Sequence, residues 1–172
     1  MTDWEGIVRQ YGALVWQTAY RLLGDRADVA DCFQETFVSA LDVARREAVL
    51  NWAGLLRRLA TARALDLLRK RMREGGRRDS TPDWEEFRSA AAGPGEHAQA
   101  AELGERLQAA LGRLPQQQAE VFCLRHINGL SYEEISDQTG MTVDAVGVTL
   151  HRARGRLREL LDEPCGAARV QR

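Results

Sequence analysis

Four arginines near the end of the chain have the spacing of a binding surface. Arg152, Arg154, Arg156 and Arg158 alternate along "LHRARGRLREL". If this segment is helical, two pairs form, each with its members one turn apart. The apolar residues of the segment follow the three-four rhythm of a buried stripe: Val143, Val146, Leu150, Ala153, Leu157 and Leu160. We therefore expect guanidinium groups on both sides of that stripe, where they can hold phosphates.

The residues before these arginines predict a helix-turn-helix. Ser131 with Glu134 three positions on forms a capping box. Gly140 suits the left-handed position that ends a helix, and Thr142 can cap the next one. In this unit the start of the second helix enters the major groove. The residues expected there to meet base edges are Asp144, Ala145, Gly147, Val148 and His151.

The charge of the chain is segregated along its length. The net charge of the 172 residues is −1, yet residues 45–78 hold 11 basic and 3 acidic side chains, a net charge of +8. Residues 1–44 carry −4 and residues 79–105 carry −6. A local basic block matters more for nucleic-acid binding than the total charge. On charge alone, a solvated helix surface is the alternative interpretation.

The first half of the chain predicts three helices, over residues 4–23, over 28–45 and after a cap at Asn51. One face of the second helix is acidic, with Asp28, Asp31, Glu35 and Asp42 on helical steps. On the third helix we expect the arginines largely outward. The side chains expected inward on that helix are Trp52, Leu55, Leu59, Ala62, Leu65, Leu68 and Met72.

Composition divides the chain into two helical units. Residues 1–73 form the first unit and 101–163 the second, with a linker over 74–100 that mixes Gly, Pro, Ser and acids. Residues 164–172 are expected to be a tail. Trp84 and Phe87 are unusual in a linker, and either dock on a domain or form a helical turn. The predicted fold is all-α, with two small helical domains joined by a flexible linker.

Other protein classes find little support. Hydrophobic residues make up 44% and charged residues 28%, as in soluble globular proteins. No apolar run approaches the roughly 20 residues of a membrane span, and the N-terminus lacks a signal-peptide layout. We expect a cytoplasmic protein without membrane insertion. Cys32, Cys123 and Cys165 are unequally spaced, which favours buried thiols over a disulfide framework.

The hypothesis of an enzyme has the least support from the residues. Cys123 and His126 lie three apart on one predicted helix, but no second paired ligand motif accompanies them, and structural metal sites usually need four ligands. There is no glycine-rich phosphate loop and no Ser/His/Asp pattern. We predict no catalytic residues, no metal and no cofactor.

Three segments resemble one protein family. "LPQQQAEVFCLRHINGLSYEEISDQTGMTVDAVGVTLHRARGRL" resembles region 4 of bacterial sigma factors, especially the extracytoplasmic-function (ECF) group. "DVADCFQETFVSAL" is similar to their region 2.2 and "LLRRLATARALDLLRKR" to regions 2.3 to 2.4. The blocks occur in the family's order and, with the residues around them, span about 130 of the 172 residues. The resemblance implies a dissociable RNA polymerase subunit that directs promoter recognition.

The resemblance also implies partners and roles. Core polymerase would bind through the clamp helices of its largest subunit, contacting Asp28, Asp31, Gln34 and Glu35, and through the flap of its second-largest subunit. Promoter DNA at the minus-10 element would contact Arg57, Arg58, Ala62, Arg63, Arg69 and Arg71, with an unpaired base held by the loop 47–54. The minus-35 element would contact the five base-edge residues together with Arg152, Arg154 and Arg156. An anti-sigma factor is the expected regulator.

Departures from the family pattern leave two alternatives open. Ala62 stands where the family often has Asn, and Gly147 and Val148 stand where a basic residue and Ser are common. The family's minus-35 preference therefore does not transfer to this chain. The alternatives are an ordinary helix-turn-helix regulator, which would need a dimer interface or a ligand pocket, and a degenerate sigma-like protein that binds polymerase without initiating transcription.

Overall fold

A computed structural model describes residues 2–74 and 94–163, with side chains of the second range from residue 99 onward. These ranges contain seven helices and no strand, which confirms the all-α prediction. Trp84, Phe87, Cys165 and the tail 164–172 lie outside the described residues. The helices are α1 (Trp4–Leu23), α2 (Arg26–Arg46), α3 (Trp52–Arg73), α4 (Pro94–Arg113), α5 (Gln116–His126), α6 (Tyr132–Thr139) and α7 (Val143–Asp162). None of them is both long and apolar enough to cross a membrane.

The predicted helix boundaries in the first half are close to those of the structure. Gly24 ends α1 in the left-handed conformation, with φ of 68°. Asn51 begins α3, where its side chain accepts a hydrogen bond from the Gly54 N–H. The start of α2 lies two residues before the predicted Asp28, because Asp25 caps the helix by accepting from the Asp28 N–H.

The fourth helix begins earlier than the sequence indicates. Helix α4 starts at Pro94, whereas the periodic pattern predicted helix only from residue 101. Proline is well suited to a first helical turn because it lacks only an N–H that has no partner there. The Gly-Pro-Gly sequence at 93–95 led to the prediction of a linker, since glycine and proline more often mark loops.

The predicted helix-turn-helix is confirmed in its local geometry. The Ser131 hydroxyl accepts from the Glu134 N–H at 3.1 Å, and the Glu134 carboxylate accepts from the Ser131 N–H at 2.7 Å. Gly140 ends α6 with φ of 73°, and Thr142 caps α7 by accepting from the Ala145 N–H. Both ends of the turn are therefore set by side chains and a glycine rather than by tertiary packing.

Helix α3 buries Leu65 and Leu68 as predicted, but the rest of its buried face differs from the prediction. Leu55, Leu59 and Ala62 are only half-buried, and Met72 is 40% exposed. The fully buried positions of this helix are Gly54, Leu56, Ala60, Thr61, Ala64, Leu65 and Leu68. The reason is that α3 packs against α1 and α2 on one side and against α4 and α5 on the other. A helix covered on two sides does not follow a single amphipathic stripe.

The two halves of the chain share one hydrophobic cluster. Leu65 and Leu68 of α3 pack together with Leu111 of α4, with Leu114 just after that helix, and with buried residues of α1, α2, α5 and α7. Gly112 allows the close approach of α3 and α4, since a Cβ there would meet the Met72 sulfur. Two smaller clusters lie within the first three helices and within the helix-turn-helix. The described helices are therefore packed against one another across the predicted domain boundary.

A buried ion pair joins α2 to α3. Asp28 is 6% exposed and its carboxylate accepts from the Arg71 guanidinium, which also donates to the Leu23 carbonyl at 3.4 Å. Removing one member of a buried pair leaves an uncompensated charge. The Asp28–Arg71 pair therefore fixes the end of α3 against the α1–α2 turn.

We predict that Arg71→Ala lowers the free energy of unfolding by about 3 kcal/mol, because it leaves the buried Asp28 carboxylate without this partner. Urea denaturation followed by circular dichroism measures the change. Arg73→Ala is the matched control, since Arg73 is exposed two residues away, and it should change stability by less than about 0.5 kcal/mol. Equal effects of the two substitutions would contradict the structural role of the pair.

Two glycines in the helix-turn-helix should respond to alanine with opposite signs. Gly140 has positive φ and open space around its Cβ position, so Gly140→Ala should destabilise by about 1 kcal/mol through backbone strain alone. Gly155 lies in the interior of α7, also with open space, so Gly155→Ala should stabilise by roughly 0.5 to 1 kcal/mol. Urea midpoints that move in the same direction for both variants would contradict this assignment.

Candidate nucleic-acid interface

The outer face of α2 carries an acidic row. Asp31, Gln34 and Glu35 are exposed along it. Val38, three residues after Glu35, is 61% exposed on the same face. The sequence analysis did not single out Val38, although its spacing from Asp31 and Glu35 could have indicated the row. The row thus combines two carboxylates, an amide and an apolar group.

Asp28 does not belong to this surface. It was predicted as a fourth member of the row, but it is buried and paired with Arg71. Arg71, which was predicted to contact DNA, is the other member of this ion pair. The physical reason is that position 28 lies in the first turn of α2, where the helix is packed against the end of α3. Asp28 and Arg71 therefore fix α2 against α3, and their charged groups are engaged with each other.

The remaining basic residues of α3 differ in their availability. Arg57 is half-buried. Arg63 is held by the Ser39 hydroxyl, to which its guanidinium donates at 3.0 Å. Arg69 lies beside Asp66 and donates to the Leu114 carbonyl at 3.4 Å. Ala62 is half-buried on the same helix and brings no polar group. The predicted minus-10 residues thus lie on one helix. Several of them, however, make hydrogen bonds or ion pairs with other residues of the chain.

Arg58 is engaged by the second half of the chain. Its Nε lies 3.0 Å from a Glu120 carboxylate oxygen on α5, and its NH1 donates to the Gln138 carbonyl on α6 at 2.8 Å. The Glu120 side chain is 16% exposed and that of Arg58 44% exposed. Partial removal from water strengthens such a pair relative to a fully exposed one. The Arg58 guanidinium is therefore already engaged by two acceptors of the second half.

A cavity of about 350 Å³ opens beside Arg58 between the α2–α3 connection and α6, and we call it the loop pocket. Leu50, Asn51 and Gly54 line one side, and Asp137 and Gln138 of α6 line the other. Leu50 is 97% exposed at its edge. The pocket falls within the loop 47–54 that the sequence predicted to hold a base, and it has room for a planar group of that size.

The start of α7 presents the predicted base-edge residues on its outer side. Asp144, Val148 and His151 are exposed, while Ala145 and Gly147 are half-buried. Arg152, Arg154 and Arg156 are exposed further along the helix. Val143 is 40% exposed, contrary to the expectation that it faces the preceding helices, because it stands at the first turn beyond the reach of α6 packing. The apolar stripe otherwise begins at Val146 and is buried as predicted.

The arginines of α7 have different neighbours. Arg154 lies 3.2 Å from the His126 ring nitrogen Nε2, and Arg156 donates to Glu159 at 2.7 Å. Partial desolvation lowers the pKa of His126, and the charges of Arg154 and Arg125 act in the same direction, so the ring stays neutral and can accept. Arg152 makes no hydrogen bond or ion pair with any residue in the described ranges. Its guanidinium is therefore available to an external phosphate.

The geometry around the cysteines does not form a metal site. Cys123 is fully buried, while His126 packs its ring against Phe122 at 4.6 Å between centroids. Among the described residues no group of three or more His, Cys, Asp or Glu side chains could hold a metal ion. Burial raises the pKa of the Cys32 thiol to about 11 and that of Cys123 to about 12. Both are therefore un-ionised, unreactive thiols at neutral pH.

Comparisons with known proteins point to one family in both halves. Residues 7–74 match the family model "Sigma-70 region 2", and residues 104–157 match "Sigma-70, region 4". ECF RNA polymerase sigma factor SigE of Mycolicibacterium smegmatis is 35% identical over 162 residues, covering 94% of this chain and 62% of the relative. ECF RNA polymerase sigma factor ShbA of Streptomyces griseus is 33% identical over 147 residues, covering 83% of this chain and 77% of the relative. The chain thus spans less than two thirds of the SigE relative.

Two solved structures share the fold. The sigma factor RpoE of Bartonella quintana, crystallised with the anti-sigma factor NepR, superimposes with a TM-score of 0.54 at 22% identity, covering 96% of this chain and all of that one. CnrH in complex with the cytosolic domain of CnrY gives a TM-score of 0.55 at 25% identity, covering 94% and 88%. At 22% identity, the likeness to RpoE concerns the fold alone, whereas the likeness to CnrH reaches 25% identity.

We predict that Arg152→Ala reduces the slope of log K against log salt for duplex DNA by about 1, because each neutralised phosphate releases condensed counterions. A fluorescence anisotropy titration over a range of salt concentrations measures the slope. Arg9→Ala is the control, since Arg9 is an exposed arginine paired with Glu5 on α1, remote in sequence from α7. An unchanged slope for Arg152→Ala, or an equal change for Arg9→Ala, would show that α7 does not contact phosphates.

Proposed function

The chain belongs to the ECF group of the sigma-70 family of RNA polymerase sigma factors, and on this premise we propose that it binds core RNA polymerase and directs promoter-specific initiation of transcription. The observation that carries the proposal is the presence of region 2 and region 4 in one chain, with a helix-turn-helix whose capping box and glycine turn are formed as expected. Family members are DNA-recognition subunits, and we propose that this chain catalyses no reaction of its own.

We propose that the acidic row of α2 is the polymerase-binding surface. Asp31, Gln34 and Glu35 are exposed and can meet basic side chains of the clamp helices of the largest subunit. Val38 adds an apolar contact at the end of this surface, which a partner can remove from water. Asp28 supports the row indirectly, because its pairing with Arg71 fixes the orientation of α2.

We propose that the loop pocket receives an unpaired base of the minus-10 element. Taking a base out of the duplex costs a few kcal/mol of stacking, so a protein that holds a melted strand needs a pocket or a stacking surface. Leu50 and Leu55 supply apolar walls, and Arg58 stands at the edge to bind the adjoining phosphate. Arg57 and Arg63 extend this phosphate contact along α3. Ala62 supplies only van der Waals contact.

We propose that α7 enters the major groove at the minus-35 element. Asp144 can accept from a cytosine amino group, and His151 can donate or accept at a base edge. Val148 is 50% exposed and suits the methyl group of thymine. Gly147 and Ala145 allow close approach without adding hydrogen bonds. Arg152 and Arg156 would hold the flanking phosphates and set the register of the helix. The flap of the second-largest polymerase subunit is the proposed second contact of this half.

An anti-sigma factor is proposed as the regulator of this chain. RpoE was crystallised with the anti-sigma factor NepR, and the structure of CnrH contains the cytosolic domain of a partner, CnrY. A partner that covers the acidic row or α7 would prevent promoter-directed transcription by simple competition. The alternative of a sigma-like protein that binds polymerase without initiating rests on Ala62, Gly147 and Val148, which leave few donors for bases. An ordinary helix-turn-helix regulator does not explain the match of residues 7–74 to region 2.

The function is tested by transcription in vitro with purified core polymerase on a pooled genomic promoter library. We predict promoter-specific transcripts with the wild-type chain and a loss of at least about tenfold with Asp31→Arg/Glu35→Arg, because the reversed charges repel a basic partner surface. A pull-down of core polymerase by each chain shows whether the loss lies in binding.

Glu102→Arg is the matched control for charge, since Glu102 is exposed on α4, away from the acidic row. It should bind core polymerase and support transcription as the wild type does. Core binding without any promoter-specific transcript would favour the degenerate sigma-like protein. A wild-type chain that does not bind core polymerase would overturn the proposal.

A further inference from the structure

A carboxylate lies in the middle of the basic outer face of α3. Asp66 follows Ala62 by one helical turn and lies between Arg63 and Arg69, and its side chain is 53% exposed. Phosphates repel a carboxylate, so Asp66 weakens the attraction of this face for a DNA backbone. The phosphate contacts proposed for α3 therefore leave Asp66 without a role.

Two arginines flank the Asp66 carboxylate without using its acceptor sites. Its Oδ2 lies 3.9 Å from the Arg63 guanidinium, and its Oδ1 lies 3.6 Å from that of Arg69. Both distances exceed the roughly 2.7 to 3.2 Å of an N–H···O hydrogen bond. Arg63 is itself anchored, because its guanidinium donates to the Ser39 hydroxyl on α2 at 3.0 Å. Within the ranges that the structure describes, Asp66 accepts no hydrogen bond, so both of its oxygens can accept from an external donor.

The turn before Asp66 allows a base edge to come close. Ala62 lies on the same face, with its Cβ roughly 5 to 6 Å from that of Asp66. A longer side chain at position 62 would cover the short side chain of Asp66, whereas the methyl group of alanine does not. The polar group that this face offers to a base is therefore at position 66.

A carboxylate has a chemical preference among the bases. It accepts hydrogen bonds and donates none. In the major groove it therefore pairs with the exocyclic amino group of cytosine and is repelled by the carbonyl oxygens of guanine and thymine. Guanidinium groups that hold phosphates carry no such sequence information. Asp66 is thus chemically suited to select a base, while Arg63 and Arg69 on either side are suited to set the register.

We propose that Asp66 accepts a hydrogen bond from a cytosine of the duplex next to the loop pocket and so determines one base of the minus-10 element. This inference rests on the proposed binding of that element by α3. Asp66 lies eight residues after Arg58, which stands at the edge of the pocket. Eight residues span about 12 Å of helix axis, so at roughly 3.4 Å per base pair the cytosine lies within about four pairs of the unpaired base.

The test measures base preference in the complete holoenzyme. A promoter that the wild-type chain selects from the genomic library is randomised over the minus-10 element and the adjoining duplex, and each copy carries a barcode in its transcribed part. Sequencing the RNA gives the relative yield of every promoter for the wild type, Asp66→Asn and Asp66→Ala. Because yields are compared within one protein, a change in overall activity or in core binding cancels.

The wild type should prefer cytosine to thymine by about tenfold at one position of that duplex. Asp66→Asn should move the preference at this position to adenine, because an amide pairs with both N6 and N7 of adenine. Asp66→Ala should reduce the preference to less than about twofold, since a methyl group makes no hydrogen bond, and should leave the other positions unchanged.

Asp42→Ala is the matched control. The Asp42 side chain is 56% exposed on α2 and lies 3.6 Å from Arg45, three residues later in the same helix. The substitution therefore removes the same charge and a comparable ion pair. Its base preferences should equal those of the wild type at every position.

Unchanged base preferences in Asp66→Ala overturn the inference, even if the yield of all promoters changes by one common factor, because the carboxylate then acts only through its charge. Altered preferences at several positions together also overturn it, because Asp66 then orients Arg63 and Arg69 and contacts no base. Circular dichroism checks that the variants are folded. Failure of the proposed function appears separately, as absent core-dependent transcripts with the wild-type chain.

Discussion

The burial of α3 on two sides is the constraint on which the rest of this structure depends. On one side Leu56 and Ala60 pack within the first three helices, and on the other Leu65 and Leu68 join the cluster shared with α4, α5 and α7. The alanines of α3 allow close approach of its neighbours, as small residues do at helix crossings. The same helix carries the arginines proposed to hold the minus-10 element. The helix proposed to bind DNA is therefore also a helix on which the other half of the chain packs.

Acidic segments elsewhere in the chain offset the net charge of the strongly basic segment. Part of that basic charge is also matched by contacts within the structure. Asp28 pairs with Arg71, Asp66 lies beside Arg69, and Glu120 pairs with Arg58. Arg71 is held by a buried carboxylate, and its role is to fix helix orientation. Arg58 is held by a carboxylate of the second half. The basic segment therefore presents less unpaired charge than its composition indicates.

Local features were predictable from the sequence because they depend on neighbouring residues alone. The capping box at Ser131, the left-handed Gly140 and the cap at Asn51 each satisfy backbone groups within four positions, and all were confirmed. Tertiary features were not predictable in the same way. The buried face of α3 was assigned from a single stripe, whereas two packing partners bury it more broadly. Asp28 was assigned to the acidic row by spacing, although packing against α3 buries it.

No sequence pattern predicted the contacts between the two halves. Asn128, Glu120 and Gln138 are ordinary polar residues in their own helices and turn, and their partners lie about 60 to 110 positions away in sequence. Only the packing of α5 and α6 against α3 gives them a role. The family resemblance predicted which segments bind polymerase and DNA, but not that one segment covers another.

The central claim is the proposal that this chain binds core RNA polymerase through the exposed acidic row of α2. A titration of core polymerase against a dye at Glu133→Cys on α6, an exposed position outside that row, tests it most directly, in a Cys165→Ser background. The account predicts saturable binding that Val38→Arg weakens by at least about tenfold, whereas Leu103→Arg, at an exposed apolar position of α4, leaves the affinity unchanged. Equal affinities of the wild type and Val38→Arg would contradict it.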